Sequence, residues 1–417
     1  MNNQRSIRTL VGIWLGWALV LVAFQHWVGV RLQLKRPDFV LPWTADETAA
    51  NSQRDKPYLN DPFMNEHVSW DSEFYLSVAT AGYDDPAVRA IPSSFTWEVE
   101  PYCTAGADAD CHSLNYAFFP VYPVATRLVS LPLGLLGLSP IARSTLAAVL
   151  VSLMGTLGAM LALYSMARSP LGEAGAVRAA FYLLIFPSGF FLAQVYTEGL
   201  AIGLAFGALA FLLARRWGWS ALLAALAVGT RPGMALLLLP MAIVWYRDRP
   251  WRDGWRPALS RGLAALAPAI AYGAWASTRL ADQFFLLEKL YFGRKLLAIG
   301  PSLKLWVDAL RSLGEAGLPT AVYYGLELAA IALAMAACIL LWKERPELSA
   351  FGLAVVAFTF ASNSPQGMLR YVLPVVPLFW VLARWGDRPT FDRLWTLASV
   401  LLLGMQAMLF SFDFWVA

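Results

Sequence analysis

Charged residues are scarce in this chain. Asp, Glu, Lys and Arg make up 14% of its 417 residues, whereas they make up about 25% of an ordinary soluble domain. Hydrophobic residues reach 58%, which excludes a soluble fold and predicts a polytopic membrane protein. The formal net charge of +4 does not indicate a nucleic-acid partner, because Lys and Arg beside membrane spans report orientation.

Several familiar sites are missing as well. The chain has three histidines and three cysteines, and none of them shows the spacing of a zinc site. It has no phosphate-binding Walker loop and no dinucleotide fingerprint, so no nucleotide is expected as direct substrate or fuel. Asp108 and Asp110 could bind a divalent cation, although a small acidic loop is the favoured interpretation. No cofactor is required, and the use of a divalent cation stays open.

Two of the three cysteines lie close together in a long hydrophilic segment. Cys103 and Cys111 are near enough in sequence to form a disulfide if that segment faces an oxidising compartment. Cys338 lies in an apolar run and is expected to serve packing. We therefore predict a Cys103–Cys111 disulfide.

Apolar runs recur along the whole chain and predict an all-α protein with about eleven transmembrane helices. The first run follows directly into Arg31 without a small-residue cleavage motif, so it is expected to be a retained helix. Arg231-Pro232 separates two short runs, which predicts two short helices that meet near the membrane boundary. The predicted runs are 9–30, 144–167, 176–197, 199–214, 218–230, 232–246, 262–278, 318–342, 348–363, 371–383 and 394–412.

The distribution of basic residues predicts the orientation. Counted from a cytoplasmic N-terminus, the inner connections hold half of the Lys and Arg but only a quarter of the Asp and Glu, as the positive-inside rule requires. The C-terminus then lies outside. The loops 31–115 and 281–316, the turn at Glu198, Arg231 and the 362–370 segment all fall on the outer face. We expect one domain over 1–417, with 31–143 as an outer loop bearing interfacial helices and 281–316 as a second outer loop.

The segment Trp70-Asp71-Ser72-Glu73-Phe74-Tyr75 places two carboxylates beside aromatic residues in the first outer loop. A carboxylate can act as a general base toward a sugar or inositol hydroxyl. Asp71 could equally cap a helix that begins near Ser72, and both roles could hold. Glu73 is expected to be structural or to position an acceptor.

The remaining chemical candidates stand at breaks between apolar runs. Tyr196 and Glu198 lie at a membrane boundary, where an ionisable group usually faces a cavity or a partner; an ion pair between Glu198 and Arg231 is the alternative. A guanidinium group binds phosphate through a bidentate fork, which makes Arg231 and Arg370 candidates for a lipid phosphate. Pairing with a carboxylate is the alternative for each.

Other polar residues are assigned to less direct roles. Tyr122 belongs to the aromatic, proline-containing stretch 115–123, which is either a substrate platform or a membrane re-entry segment that continues into a short helix. Arg294 and Lys295 are expected at the lipid headgroups. Glu327 lies within an apolar run without a surrounding motif and is expected to be structural.

Taken together, these stretches resemble the PIG-V family, the mannosyltransferases that add the second mannose in GPI-anchor assembly, and its prokaryotic relatives. The resemblance rests on five stretches in family order across residues 66–374. They are Trp70 to Tyr75 with Ala81-Gly82-Tyr83, Asn115 to Pro123, Phe186 to Phe191 running into Tyr196 to Leu200, Ala227 to Gly233, and Arg370 to Pro374.

The resemblance implies a C-type glycosyltransferase fold and a polyprenyl-phosphate sugar as donor. Asp71 matches the family's Trp-Asp motif and would be the base of an inverting reaction. Arg231 matches the arginine of a family turn that reads Arg-Ser-Asn-Gly or similar. Here the turn is Arg-Pro-Gly, which keeps the charge but lacks the asparagine. The composition and short loops are typical of a prokaryotic protein, in which case GPI is not the acceptor.

The sequence thus predicts a multi-pass enzyme of a prokaryotic cell membrane with its active site outside. It would move mannose from a polyprenyl-phosphate carrier to a hydroxyl of a lipid, glycan or protein. Asp71 would be catalytic; Glu73, Tyr122, Tyr196 and Glu198 would bind substrate; and Arg231 and Arg370 would bind the donor phosphate. The alternatives are a different polyprenyl-phosphate sugar, or a non-enzymatic lipid-carrier transporter, which would favour internal repeats.

Overall fold

The computed structural model describes residues 3–32, 52–53, 56–98, 102–104, 110–295, 297–312, 317–362 and 366–416. Within these ranges the chain forms fifteen α-helices and three short strands. In chain order the helices are α1 Asn3–Arg31, α2 Ser72–Thr80, α3 Val121–Leu133, α4 Pro140–Ile185, α5 Glu198–Leu213, α6 Trp217–Val228, α7 Leu238–Asp248, α8 Trp255–Ala276, α9 Arg279–Leu290, α10 Ile299–Ser312, α11 Leu318–Leu341, α12 Pro346–Phe360, α13 Met368–Tyr371, α14 Val376–Trp385 and α15 Pro389–Ser411.

Four helices in the described part of the chain are long and apolar enough to cross a membrane. They are Gln4–Arg31, Pro140–Ile185, Leu318–Leu341 and Pro389–Ser411. Shorter apolar helices accompany them, among them α5, α6, α12 and α14. The predicted fold class is confirmed: the chain is an all-α polytopic membrane protein.

The helix bounds differ from the predicted runs around residues 168–197. Gly172 breaks the long helix α4 with a left-handed φ of 70°, two residues after Pro170. The second half then ends at Ile185, so the predicted run 176–197 is wrong in its extent. Pro187 explains the early end, because the residue before a proline is disfavoured in helical geometry. A short 3₁₀ helix, Gly189–Ala193, leads on to the Tyr196–Glu198 turn.

The predicted break at Arg231 is present. Helix α6 ends at Val228, Arg231 is extended at φ −166° and ψ 147°, and a 3₁₀ turn over Pro232–Leu237 precedes α7. The backbone N–H of Val121, the first residue of α3, donates to the Gly229 carbonyl at 2.9 Å. This bond connects the segment between α6 and α7 to the N-terminus of α3.

The segment between α2 and α3 contains a small antiparallel sheet. Strands β1 Arg89–Pro92, β2 Cys103–Thr104 and β3 Cys111–Ser113 pair in the order β2-β1-β3. A Cys103–Cys111 disulfide joins the two outer strands, with Cα atoms 6.1 Å apart. Asp108 lies outside the described residues, while Asp110 lies 3.8 Å from His112.

Helices α4 and α5 pack with their backbones in direct contact, and glycines make this possible. A Cβ atom placed on Gly203 would lie 2.3 Å from the Gly155 carbonyl oxygen, and one on Gly199 would lie 2.2 Å from that of Ser152. Small residues allow such close approach between membrane helices. Ser152 also donates to the Tyr196 carbonyl at 3.0 Å, so this contact fixes the turn that carries Glu198.

We expect Gly203→Ala to destabilise the protein, because the added methyl group must displace the α4 backbone. Overpacking of this kind costs about 1–3 kcal/mol and should lower the melting temperature of the purified protein. Gly158→Ala is the matched control, since a Cβ there meets no atom within 4 Å and alanine favours helix. Equal melting temperatures for the two variants would contradict the close contact.

Candidate active site

One cavity gathers polar side chains from segments that are far apart in sequence. Its volume is about 560 Å³. The start of α2, the α6–α7 connection, α9 with the loop that follows it, and the end of α12 with α13 form its walls. The ionisable residues that line it are Asp71, Tyr75, Arg231, Tyr272, Glu288, Lys289, Arg294, Lys295, Arg370 and Tyr371.

Asp71 occupies the N-cap position of α2, but its carboxylate makes no capping hydrogen bond. The side chain is 31% exposed and lines the cavity instead. Its backbone N–H donates to the Tyr196 hydroxyl at 3.2 Å. The preceding Trp70 has a left-handed φ of 53°, a strained state for a tryptophan that costs about 1–3 kcal/mol. Such strain concentrates at functional sites. Here the strained residue directly precedes Asp71, whose side chain lines the cavity.

Arg370 lies directly behind Asp71 and is almost fully buried. Its Nη1 atom lies 3.7 Å from Asp71 Oδ2, and its Nε atom lies 3.3 Å from Glu198 Oε1. Its Nη2 donates to the Tyr371 hydroxyl at 2.9 Å. The guanidinium also lies over the Tyr196 ring, with its carbon 5.2 Å from the ring centre. Only 5% of the side chain is exposed, so Arg370 holds the Asp71 carboxylate in place.

Glu198 joins the two arginines predicted from the sequence. Its side chain is fully buried and accepts a hydrogen bond from Arg231 Nη2 at 2.6 Å. The same oxygen faces Arg370. The ion pair considered for Glu198 and Arg231 is therefore present, and it includes Arg370. Arg231 remains 16% exposed and lines the cavity, whereas Glu198 lies behind the cavity wall.

A buried glutamate from α11 fixes the position of α13, which carries Arg370. Glu327 accepts hydrogen bonds from the backbone N–H groups of Gly367 at 3.2 Å and Leu369 at 2.7 Å. Ser188 donates to the Leu369 carbonyl at 2.6 Å. The first N–H groups of a helix lack intrahelical partners, and the Glu327 carboxylate is the acceptor for two N–H groups at the start of α13. The structural role expected of Glu327 is thus to anchor α13.

Three cavity residues were not expected at a reaction site from the sequence. Glu288 near the end of α9 and Arg294 in the following loop form an ion pair at 3.7 Å, and Lys295 lies beside them. Arg294 and Lys295 were expected at the lipid headgroups, but the structure places both on the cavity wall. Burial raises the pKa of Glu288, the Arg294 charge opposes this rise and the Asp71 charge adds to it.

The other predicted substrate-binding residues lie away from the cavity surface. Glu73 is buried and pairs with Arg89 at 3.6 Å. Tyr122 is fully buried, and its hydroxyl lies 3.0 Å from that of Ser152. Tyr196 is buried and contacts Asp71 from behind. Asn363 to Pro365, part of the predicted turn before Arg370, lie outside the described residues.

Solved structures similar to the chain include those of two proteins. One is the archaeal oligosaccharyltransferase AglB from Archaeoglobus fulgidus, in complex with an inhibitory peptide and a dolichol-phosphate, at 12% identity and a TM-score of 0.46. The match covers 94% of this chain and 56% of that protein, so this chain spans little more than half its length. The other is ArnT from Cupriavidus metallidurans, at 17% identity and a TM-score of 0.43, with 83% and 72% covered.

No protein-family model and no curated protein sequence matches the chain. The TM-scores of these two structural neighbours lie below 0.5, so the likeness assigns no role to any residue of this chain.

Proposed function

We propose that the protein is an inverting glycosyltransferase that uses a polyprenyl-phosphate sugar, with mannose as the sugar. The observation that supports this most is the shared cavity, in which the Asp71 carboxylate lies within reach of several cationic side chains. A carboxylate is suited to take a proton from a hydroxyl, and cations are suited to a phosphate leaving group. The resemblance to the PIG-V family supports mannose.

The proposed reaction uses the carboxylate as a base and the cationic side chains as partners of the leaving phosphate. Asp71 accepts the proton of the acceptor hydroxyl as the hydroxyl oxygen forms a bond to the anomeric carbon of the sugar. The bond between that carbon and the phosphate oxygen breaks, and its electron pair stays on the phosphate. Attack opposite the leaving group inverts the anomeric configuration. The carrier phosphate gains one negative charge, which the arginine side chains stabilise more strongly than they stabilise the donor.

The acceptor is a hydroxyl of a lipid, glycan or protein, and the cavity is proposed to lie on the outer membrane face. The chain is proposed to act as one domain in a prokaryotic cell membrane with a cytoplasmic N-terminus, because the basic residues favour that orientation. The arginines supply positive charge without a metal ion. A divalent cation would compete for the same carboxylate, so its addition is a useful variable in the assay.

The test is a transfer assay with the purified protein in nanodiscs. The protein is incubated with radiolabelled polyprenyl-phosphate mannose and a lipid extract of its host, with and without a chelator. We expect label in a new product, whose structure identifies the acceptor. Transfer from a glucose or arabinose carrier but not from the mannose carrier would retain the enzyme class and reject mannose. Movement of the carrier across the bilayer without any transfer would support a transporter instead.

A further inference from the structure

The cations of the cavity differ greatly in how far they are already neutralised. Arg370 contacts Asp71, Glu198 and the Tyr371 hydroxyl, and only 5% of its side chain is exposed. Arg231 donates to Glu198 at 2.6 Å and is 16% exposed. Both guanidinium groups therefore share the buried Glu198 carboxylate, and turning either one toward a ligand would weaken this buried ion pair.

Arg294 is held much less tightly. Its side chain is 36% exposed, and its nearest ion-pair contact is 3.7 Å from Glu288. Burial raises the pKa of that glutamate, and the Arg294 charge opposes the rise. Lys295 is exposed and lines the same wall, with no ion pair to any described residue. Together with the exposed Lys289 of α9, which also lines the cavity, these two side chains carry the positive charge that a ligand in the cavity would meet first.

The backbone that carries these cations is fixed on both sides. The Arg294 N–H donates to the Glu288 carbonyl at 2.8 Å, and the Lys295 N–H donates to the Ser362 carbonyl at 3.2 Å. The Ala298 N–H donates to the Ala361 carbonyl at 2.8 Å. The loop is thus bonded to both α9 and the end of α12. A phosphate held there gains from a backbone whose position is largely set before binding.

The cavity beside this cationic wall is apolar. Met234, Leu236, Phe284, Phe285 and Phe358 line it. Inorganic phosphate has no apolar group that could cover this surface, whereas the first units of a prenyl chain would bury it favourably. The adjoining charge and apolar surface match a phosphate that is esterified to a hydrocarbon.

We propose that Arg294 and Lys295 form the primary phosphate site for a prenyl-phosphate lipid, and that Arg370 is a positioning residue for Asp71. This inference rests on the proposed function and sharpens it. Arg294 offers a planar fork to two phosphate oxygens, and Lys295 adds a flexible point charge. The product, a phosphate monoester, carries more negative charge than the donor diester and binds this site more tightly.

Binding of a three-isoprene prenyl phosphate to the purified protein in uncharged detergent tests the proposal without any sugar. We expect Arg294→Gln and Lys295→Gln to weaken binding by about tenfold each, the loss typical of a charge-assisted contact. Lys304→Gln is the matched control, because that exposed lysine lies on α10 and does not line the cavity. Arg370→Lys should bind the prenyl phosphate within about threefold of the wild type while kcat for transfer falls.

The outcomes distinguish a failure of the proposed function from a failure of the phosphate-site assignment. A wild-type protein that fails to bind prenyl phosphate would overturn the proposed function itself. Wild-type binding that Arg294→Gln and Lys295→Gln leave unchanged would overturn only the assignment of the phosphate site. Competition by phosphatidylglycerol as strong as by prenyl phosphate would identify a general site for anionic lipids and reject the specific one. Melting temperatures of all variants confirm that they are folded.

Discussion

Replacing Asp71 by Asn should nearly abolish sugar transfer while the prenyl phosphate still binds. Asparagine keeps the size of the side chain but cannot accept the proton of the acceptor hydroxyl. The loss of a general base typically lowers kcat by about 10²–10⁴-fold. The carboxylate is 31% exposed, and its contact with Arg370 is 3.7 Å, so the variant should fold. The measurement is kcat for transfer, with equilibrium binding of prenyl phosphate recorded on the same preparation.

Two further variants make this prediction specific. Asp282→Asn removes an exposed aspartate of α9 that does not line the cavity, and it should transfer at the wild-type rate. Glu288 is the second carboxylate of the cavity and the main rival for the role of base. If Glu288→Gln abolished transfer while Asp71→Asn remained active, the base would be Glu288 and the proposed geometry would have to be reversed.

Three of the residues predicted from the sequence line the cavity, and each of them stands at a visible break. Asp71 precedes a short amphipathic helix, Arg231 interrupts two apolar runs, and Arg370 follows a turn-rich segment. In a membrane protein such breaks are tolerated only where protein or water covers the backbone. This requirement explains why Asp71, Arg231 and Arg370 border a cavity, whereas Glu73 and Tyr122, which stand at no such break, are buried.

Glu288 and Arg294 could not be found in this way. They lie in and just after an amphipathic helix whose charges are typical of any solvated surface. Their place on the cavity wall depends on the turn between α8 and α9 and on the backbone bonds of Lys295 and Ala298 to the end of α12. Those are contacts between distant segments, and local periodicity carries no information about them.

The helix bounds show a related limit of the sequence. Hydropathy predicted a continuous run over 176–197, yet the helix ends at Ile185. The residues that follow are as apolar as those before and are almost all buried. Hydrophobic residues are needed both in a helix that spans the membrane and in an irregular segment packed inside the protein. Pro187 is the local signal that separates the two cases, and it precedes the turn that carries Glu198.

Replacing Glu198 by Gln should both destabilise the protein and inactivate it. The substitution removes the buried charge that Arg231 and Arg370 share, and it leaves the cluster of two arginines with Asp71 alone. Removing one partner of a buried ion pair costs about 3–5 kcal/mol. Arg370 would then shift toward Asp71 or away from the α5 terminus, and kcat should fall even in the molecules that remain folded. The melting temperature and kcat measured together test both effects.

Glu347→Gln provides a matched control for this substitution. Glu347 is also a buried glutamate that faces two arginines, at 2.8 Å from Arg247 and 3.8 Å from Arg345. Those arginines are 55% and 35% exposed, so water can replace the lost partner, and the melting temperature should fall less. Transfer by folded Glu347→Gln should match the wild type, because none of the three residues lines the cavity.

The response to ligand distinguishes a positioning role for Glu198 from direct contact with substrate. Without Glu198 the cavity has one more positive charge, so a bound prenyl phosphate should raise the melting temperature of Glu198→Gln more than that of the wild type. Ligand that binds the folded state stabilises it in proportion to the logarithm of its concentration over Kd. A variant with normal kcat and a raised KM for the sugar donor would instead place Glu198 in contact with the sugar, as the sequence alone predicted.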